Sequence, residues 1–409
     1  YLKNSQSPIN KGIGSFFLLK LSNSGLYNTQ KEITNNIRNF LSNNTNCLHK
    51  PQLKFLPEVI FGMISSESLV AQDISLKLKD DFSLVQNDST IKRIHRLMKN
   101  ERYEGHNLFN QIVKHIISNM KLKHDDKRVH IVIDHMYSKE NYTILMVSMR
   151  IGKQGIPIYF QSFEGFNNSE AYLNSLLIKS VYYIHELFKD TDFNLIFLAD
   201  RWFNSYSLLN TIDILGHTYV IRLKGNINIQ IFDKKEGHKI RKQTGDLASY
   251  QFKSKVYKNV KLYENHDFET NIIRSKRKGV SESWIIATNG DVKRAIKDYG
   301  YRFGGIETIF KHQKSNGFYL EDIVNASMIY FENLYSTLCI TLLLLTSIGI
   351  EYSKNNSCYK NIKITTHKII KNQKIRVLSV IRTRITLFNL AFNSPRYIRL
   401  PLNFNLYDL

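Results

Sequence analysis

Cysteine is scarce: the 409 residues include three, Cys47, Cys339 and Cys358. The number is odd and no two form a C-x-x-C pair. Neither a disulfide framework nor a zinc ribbon is expected, and a reducing cytoplasm fits. Acidic residues are also short, with 35 Asp plus Glu against 57 Lys plus Arg, a net charge of +22. An excess of that size suits a polyanion, nucleic acid before an anionic membrane. Part of it follows a general abundance of Lys, Asn and Ile. No internal repeat and no signal peptide are evident. The chain opens on Tyr1 rather than Met, so its start is expected to be incomplete.

Charge is missing altogether from Asn333 to Ile350, "NLYSTLCITLLLLTSIGI", a run of 18 residues. That is the lower edge of a membrane span. Its several Ser and Thr, and the lack of a basic flank on its N-terminal side, favour a buried core helix, with no membrane partner. What is plentiful is apolar surface. Hydrophobic residues make up 43% and aromatics 12%, enough for large cores and too much for a mostly disordered chain. The length predicts two or three domains.

Residues 1–55 are rich in Asn, Ser and Lys and read as loosely ordered, within an N-terminal helical region over 1–125. Three helical patterns follow Pro57. The third, "DSTIKRIHRLMKN", carries an apolar stripe of Ile91, Ile94 and Met98, with Lys92, Arg93, Arg96 and Lys99 on its other faces. It suits a small helical DNA-binding module or simply a solvated basic face. After Lys127 the pattern changes. "RVHIVIDHM", "YTILMVSMRI" and "IPIYFQSF" read as strands, "SEAYLNSLLIKSVYYIHELF" as a helix, "FNLIFLADRWF" as a strand, "YSLLNTIDILG" as a helix and "TYVIRLKG" as a strand. Three successive strands suggest an antiparallel meander, and the helical crossovers suggest parallel additions. The expected fold is α/β, a mixed sheet covered by helices. Residues 126–224 hold its first part, 225–289 a β-rich insertion and 290–350 its second part. Residues 351–409 read as a basic helical tail containing "KIIKNQKIRVLSVIRTRITLFNLAF".

Three acids stand where chemistry would want them. Asp134 ends the first strand, Asp200 the fourth, and Glu307 opens a later helix. An acid at the end of a buried apolar strand is costly unless it is exposed at the sheet edge or bound to a cation. Two strand-end acids and a helical glutamate would offer oxygen ligands to Mg2+ or Mn2+. Two such ions can drive phosphodiester chemistry. Singly, each acid has a plainer reading: a turn cap for either aspartate, a surface ion pair for Glu307.

The segment "YGYRFGGIETIFKHQKSNGF" adds a pattern. It resembles the signature of DDE transposases from bacterial insertion sequences, specifically the cut-and-paste group with a β-strand insertion. That signature is Tyr, two residues, Arg, three residues, Glu, six residues, Lys. Tyr299, Arg302, Glu307 and Lys314 match in type, and "LADRWF" and "YVIRLKGN" fall in the matching order. The resemblance covers about residues 55–350. It implies an RNase H-like catalytic core with an N-terminal DNA-binding region. It also implies metal-dependent cleavage of double-stranded DNA at terminal inverted repeats, then strand transfer into target DNA. By carry-over, Asp134, Asp200 and Glu307 hold the metals, and Tyr299, Arg302 and Lys314 contact DNA phosphates. A homodimer in the synaptic complex is also implied.

Trp284 in "SWIIATN" would stack a flipped base or pack as a core strand aromatic. Arg222 in "VIRLK" would contact DNA or make a structural ion pair. Two other readings remain open: a catalytically decayed end-binding protein, and another RNase H-like nuclease.

The match departs in two places. Met136 stands where relatives often have a small hydroxyl residue. Four residues, not three, separate Arg302 from Glu307, and Gly304 and Gly305 lie among them. In an unbroken helix the extra residue would turn the first pair by about 100° from the second. A π-bulge or break at the glycines, or a helix starting at Gly305 with Arg302 reaching in from a loop, would restore the alignment.

Overall fold

The computed structural model describes residues 27–78, 87–120, 127–139, 142–152, 154–165, 170–233, 236–248, 253–263, 265–276, 282–314, 317–353, 367–370, 373–376 and 384–389. Five helices come first: α1 (Tyr27–Asn44), α2 (Lys50–Ser66), α3 (Ala71–Lys77), α4 (Asn87–Met98) and α5 (Gly105–Asn119). Their buried residues recur at helical spacing, as with Leu108, Phe109, Ile112, Val113, Ile116 and Ile117 of α5. The sequence reading of 1–55 as loosely ordered fails for 27–44 and 50–55, which are helical. Polar composition hid Ile33, Ile37 and Leu41, a stripe at four-residue spacing that α1 buries. On α4, Ile94 and Met98 are buried, while Arg93 lies over the Phe55 ring at 4.0 Å.

The sheet begins with β1 (Arg128–Tyr137), β2 (Tyr142–Ile151) and β3 (Gln154–Glu164), a meander. Helix α6 (Glu170–Phe188) leads to β4 (Asn194–Ala199), and α7 (Tyr206–Ile214) leads to β5 (Thr218–Arg222). Strands β1, β4 and β5 are parallel neighbours. The insertion supplies β6 (Asn228–Asp233), β7 (His238–Gln243), β8 (Ser254–Leu262), β9 (Glu269–Ser275) and β10 (Trp284–Thr288). It continues the same sheet rather than closing a separate barrel. The full order is β3-β2-β1-β4-β5-β10-β9-β8-β6-β7. The join is an antiparallel ladder in which Ile286 faces Arg222.

Helices α8 (Ala295–Gly300) and α9 (Ile306–Lys314) follow, then α10 (Met328–Ser353). Asp298 of α8 is nearly buried and pairs with Arg128 and His130 of β1, which ties that helix to the sheet. Helix α10 is long and apolar enough to cross a membrane, yet 83% of its most apolar window is buried inside the fold. Its polar groups are paired internally. Asn333 accepts from the Gly105 N–H at 3.1 Å and donates to the Met98 carbonyl at 3.0 Å. Tyr335 donates to Gln313 of α9 at 3.0 Å. Such pairing makes burial of polar groups tolerable. The predicted tail helix is not formed over its first residues. There β11 (His367–Ile370) and β12 (Gln373–Arg376) make a hairpin, as β-branched Ile369, Ile370 and Ile375 favour. The rest of that stretch lies outside the described residues, apart from a helical turn at 384–389.

Candidate active site

Strand register brings the site together. Ile133 of β1 faces Ala199 of β4, and Ala199 faces Ile221 of β5. One residue further along each chain stand Asp134, Asp200 and Arg222. Asp134 does not end its strand as expected; β1 runs on to Tyr137 because Asp134 to Tyr137 still pair with β2. Asp200 does end β4. Its carboxylate caps a short 3₁₀ turn by accepting from the Arg201 N–H at 2.7 Å.

The glycines position the third acid. Helix α8 stops at Gly300, and Gly304 takes φ +80°, a left-handed value that favours glycine. A side chain at Gly155 of β3 would meet the Gly305 carbonyl carbon at 3.1 Å. The contact seats the start of α9 against the sheet. Arg150 of β2 holds the same turn, donating to the carbonyls of Tyr301 and Phe303. The expected break is therefore present, as two helices joined by a turn. Glu307 lies in the first turn of α9, where the helix dipole favours an anion.

From that turn Arg302 reaches inward. Its guanidinium lies 2.7 Å from Asp134, 3.7 Å from Asp200 and 3.3 Å from Glu307. Its side chain is 8% exposed, and its Nε has no hydrogen-bond partner among the described residues. Burial opposes its charge, but Asp134 and Asp200 outweigh that and hold its pKa above the ordinary value. Desolvation raises the pKa of Asp134 and of Glu307, and Arg302 opposes the rise in both. The three acids thus converge on one guanidinium. Among the described residues, no three His, Cys, Asp or Glu side chains, these acids included, are grouped closely enough to hold a metal ion as they stand.

The remaining candidates divide. Tyr299 is fully buried and donates to Asp200 at 3.3 Å, so it braces an acid rather than facing outward. Burial pushes its hydroxyl pKa up. Arg222 makes an ion pair with Glu282 at 2.7 Å and a longer one with Asp200 at 3.9 Å. Lys314, one helix face further on, pairs with Glu321 at 3.6 Å. Trp284 is half-buried, stacked on Phe303 at 5.6 Å and edge-on to Tyr299 at 5.0 Å. Sequence reasoning missed His135, which sits beside Asp134 within 2.9 Å of the Tyr137 hydroxyl. It also missed Trp202 and Lys224, both inside segments it had singled out.

The geometry defines an α/β protein in which two parallel strands, a turn and a helix bring three acids and one arginine together. No family model matches the chain, and no curated protein matches it. Among the solved structures with some similarity to part of the chain are two of Marinitoga piezophila Argonaute. The complex with 5′ OH guide RNA and target DNA is 13% identical with a TM-score of 0.22, over 54% of this chain and 30% of that one. The complex with guide RNA alone is 12% identical with a TM-score of 0.24, over 56% and 34%. The chain thus spans about a third of the Argonaute length, and likeness at that level carries no functional weight.

Proposed function

We propose that the chain is a DNA transposase of the DDE type, with Asp134, Asp200 and Glu307 as its catalytic acids. One observation carries this: residues far apart in sequence, singled out by the signature, meet around a single positive charge. The strand order β3-β2-β1-β4-β5, antiparallel then parallel, is the one an RNase H-like core requires, and supports the same reading. In donor chemistry the acid set suits a divalent cation, although in the arrangement shown Arg302 stands between the acids and they are not grouped around a metal position. It offers carboxylate oxygens alone, as Mg2+ and Mn2+ prefer, and it already holds a cation in the form of Arg302. Bound there, such ions would supply an activated nucleophile and a stabilised leaving oxygen.

The chain's own residues supply the rest. Tyr299 and the Arg201 N–H fix the Asp200 carboxylate. Arg302 keeps three like charges together until DNA arrives. Its guanidinium fork then suits a phosphate. Lys314 adds a second phosphate contact. Double-stranded DNA with terminal inverted repeats is the substrate, and two copies of the chain act on paired ends.

The test compares DNA carrying the repeats that flank the gene with DNA of scrambled ends, each with magnesium. Cleavage confined to repeat ends supports a transposase. Cleavage governed by DNA shape alone assigns another nuclease. Specific binding without cleavage in magnesium or manganese assigns a decayed end-binding protein in which Arg302 is a permanent ion-pair hub.

A further inference from the structure

The chain has two tryptophans, and the structure treats them in opposite ways. Trp284 is stacked within the fold. Trp202 is 70% exposed, two residues beyond Asp200. Single exposed apolar residues are ordinary on a protein surface; what sets Trp202 apart is its place two residues beyond Asp200 and the cation held beside its ring. Lys224, two residues beyond Arg222, holds its ammonium 5.3 Å from the centroid of the Trp202 ring. Since Asp200 and Arg222 lie level in adjacent strands, Trp202 and Lys224 come together just past the site.

The basic surface continues from there. The Lys224 carbonyl accepts from the Thr244 hydroxyl at 2.5 Å, and the Gly225 carbonyl accepts from the Gly245 N–H at 2.7 Å. A side chain at Gly245 would meet the Gly225 oxygen at 2.8 Å, so the two segments touch through backbone. Immediately beyond lies a groove of about 450 Å³. Arg241, Lys242 and Lys261 line it, and Asp246 is the single acid among its described lining residues. None of the three site acids borders it.

We infer that Trp202, Lys224 and this groove form a track for an unpaired DNA strand leaving the acid cluster. A base stacks on the free face of Trp202, its phosphate lies by Lys224, and the backbone beyond follows the groove. Stacking needs only a π-face, so the track accepts any base, while the cations match its phosphates. The inference rests on the proposed reading of the acids for its biological setting, but its test does not.

Trp284→Phe leaves Trp202 as the sole tryptophan, excited at the red edge where the 23 tyrosines do not absorb. Adding single-stranded oligothymidylate quenches its emission, and a duplex of equal length quenches it less. In the otherwise unchanged chain, Trp202→Ala weakens single-strand binding by about 5- to 100-fold, read by anisotropy of a labelled strand. Trp202→Phe restores part of the loss, which separates stacking from misfolding. Unaltered Trp202 emission on a bound strand, or Trp202→Ala binding like the parent, overturns the track. Equal quenching by polyglutamate also overturns it, in favour of an acidic protein partner. Quenching without any DNA cutting would remove the transposase reading alone, and cutting without quenching would remove the track alone.

Discussion

Two charged regions of this sheet are built on opposite plans. Beside β1 and β4, Asp134, Asp200 and the α9 residue Glu307 close on Arg302, so negative charge is partly offset within the chain. In the groove of β6, β7 and β8, three cations stand with one acid among the described lining residues. Lys261 has Asp267 nearby, but that acid is 96% exposed and weakly held. Acids drawn onto a resident arginine make a site that a foreign cation can enter only by displacing it. A lining with more cations than acids makes a surface whose excess charge attracts anions from outside.

The sharpest way to break the comparison is at the acids. Asp134→Ala and Asp200→Ala should each abolish DNA cleavage in a gel assay, while DNA affinity holds or rises as negative charge is lost. Retained cleavage in either variant removes that residue from the site. Next in size is Arg302→Gln. Removing one partner of a buried ionic cluster costs about 3–5 kcal/mol, so denaturant melts without divalent cation should show a loss of that order. The same variant should bind Mn2+ more tightly than the parent in the absence of DNA, read by paramagnetic resonance. Unchanged or weaker Mn2+ binding would mean that Arg302 does not compete for the site.

In the groove the effects are smaller and of another kind. Lys242→Ala should leave stability within about 0.5 kcal/mol and weaken DNA binding nearly uniformly across sequences. With a single strand, the slope of log affinity against log salt should shrink by about 0.7. An unchanged slope would take Lys242 off the DNA surface. The smallest effect belongs to a group outside both regions. His217 lies 3.0 Å from His185, and burial with that neighbour lowers its pKa from 6.5 to about 4. Between those values the unfolded chain binds a proton that the folded chain does not, so stability rises with pH across the window and is lost as pH falls toward about 4. His217→Asn should flatten that limb in melts at stepped pH.

Much of the frame was legible because its signals are local. The apolar runs of β1 to β5, the period of α6 and the uncharged core of α10 each declare themselves within one element. The N-terminal Ile33, Ile37 and Leu41 stripe was masked by polar neighbours. The hairpin at 367–376 was masked by Lys residues that read equally well as a basic helix. The continuous sheet was out of reach, because β10 pairing with β5 joins segments separated by the whole insertion. At the site, residue types and spacing picked out the acids and the arginine, and the glycines foretold a break. What they left hidden was direction. Arg302 turns in to the acids, Tyr299 is buried, and of the two tryptophans the exposed one is Trp202, whose surroundings come from β5 and the turn after β7.

The most direct measurement is nicking of DNA carrying the flanking repeats, by the purified chain, across a titration of Mg2+ with Glu307→Gln alongside. Cleavage that rises with Mg2+, vanishes with chelator and is lost in Glu307→Gln is the predicted result. Cleavage that persists with chelator or in Glu307→Gln, or none at any Mg2+ or Mn2+ concentration, would contradict the assignment of the three acids.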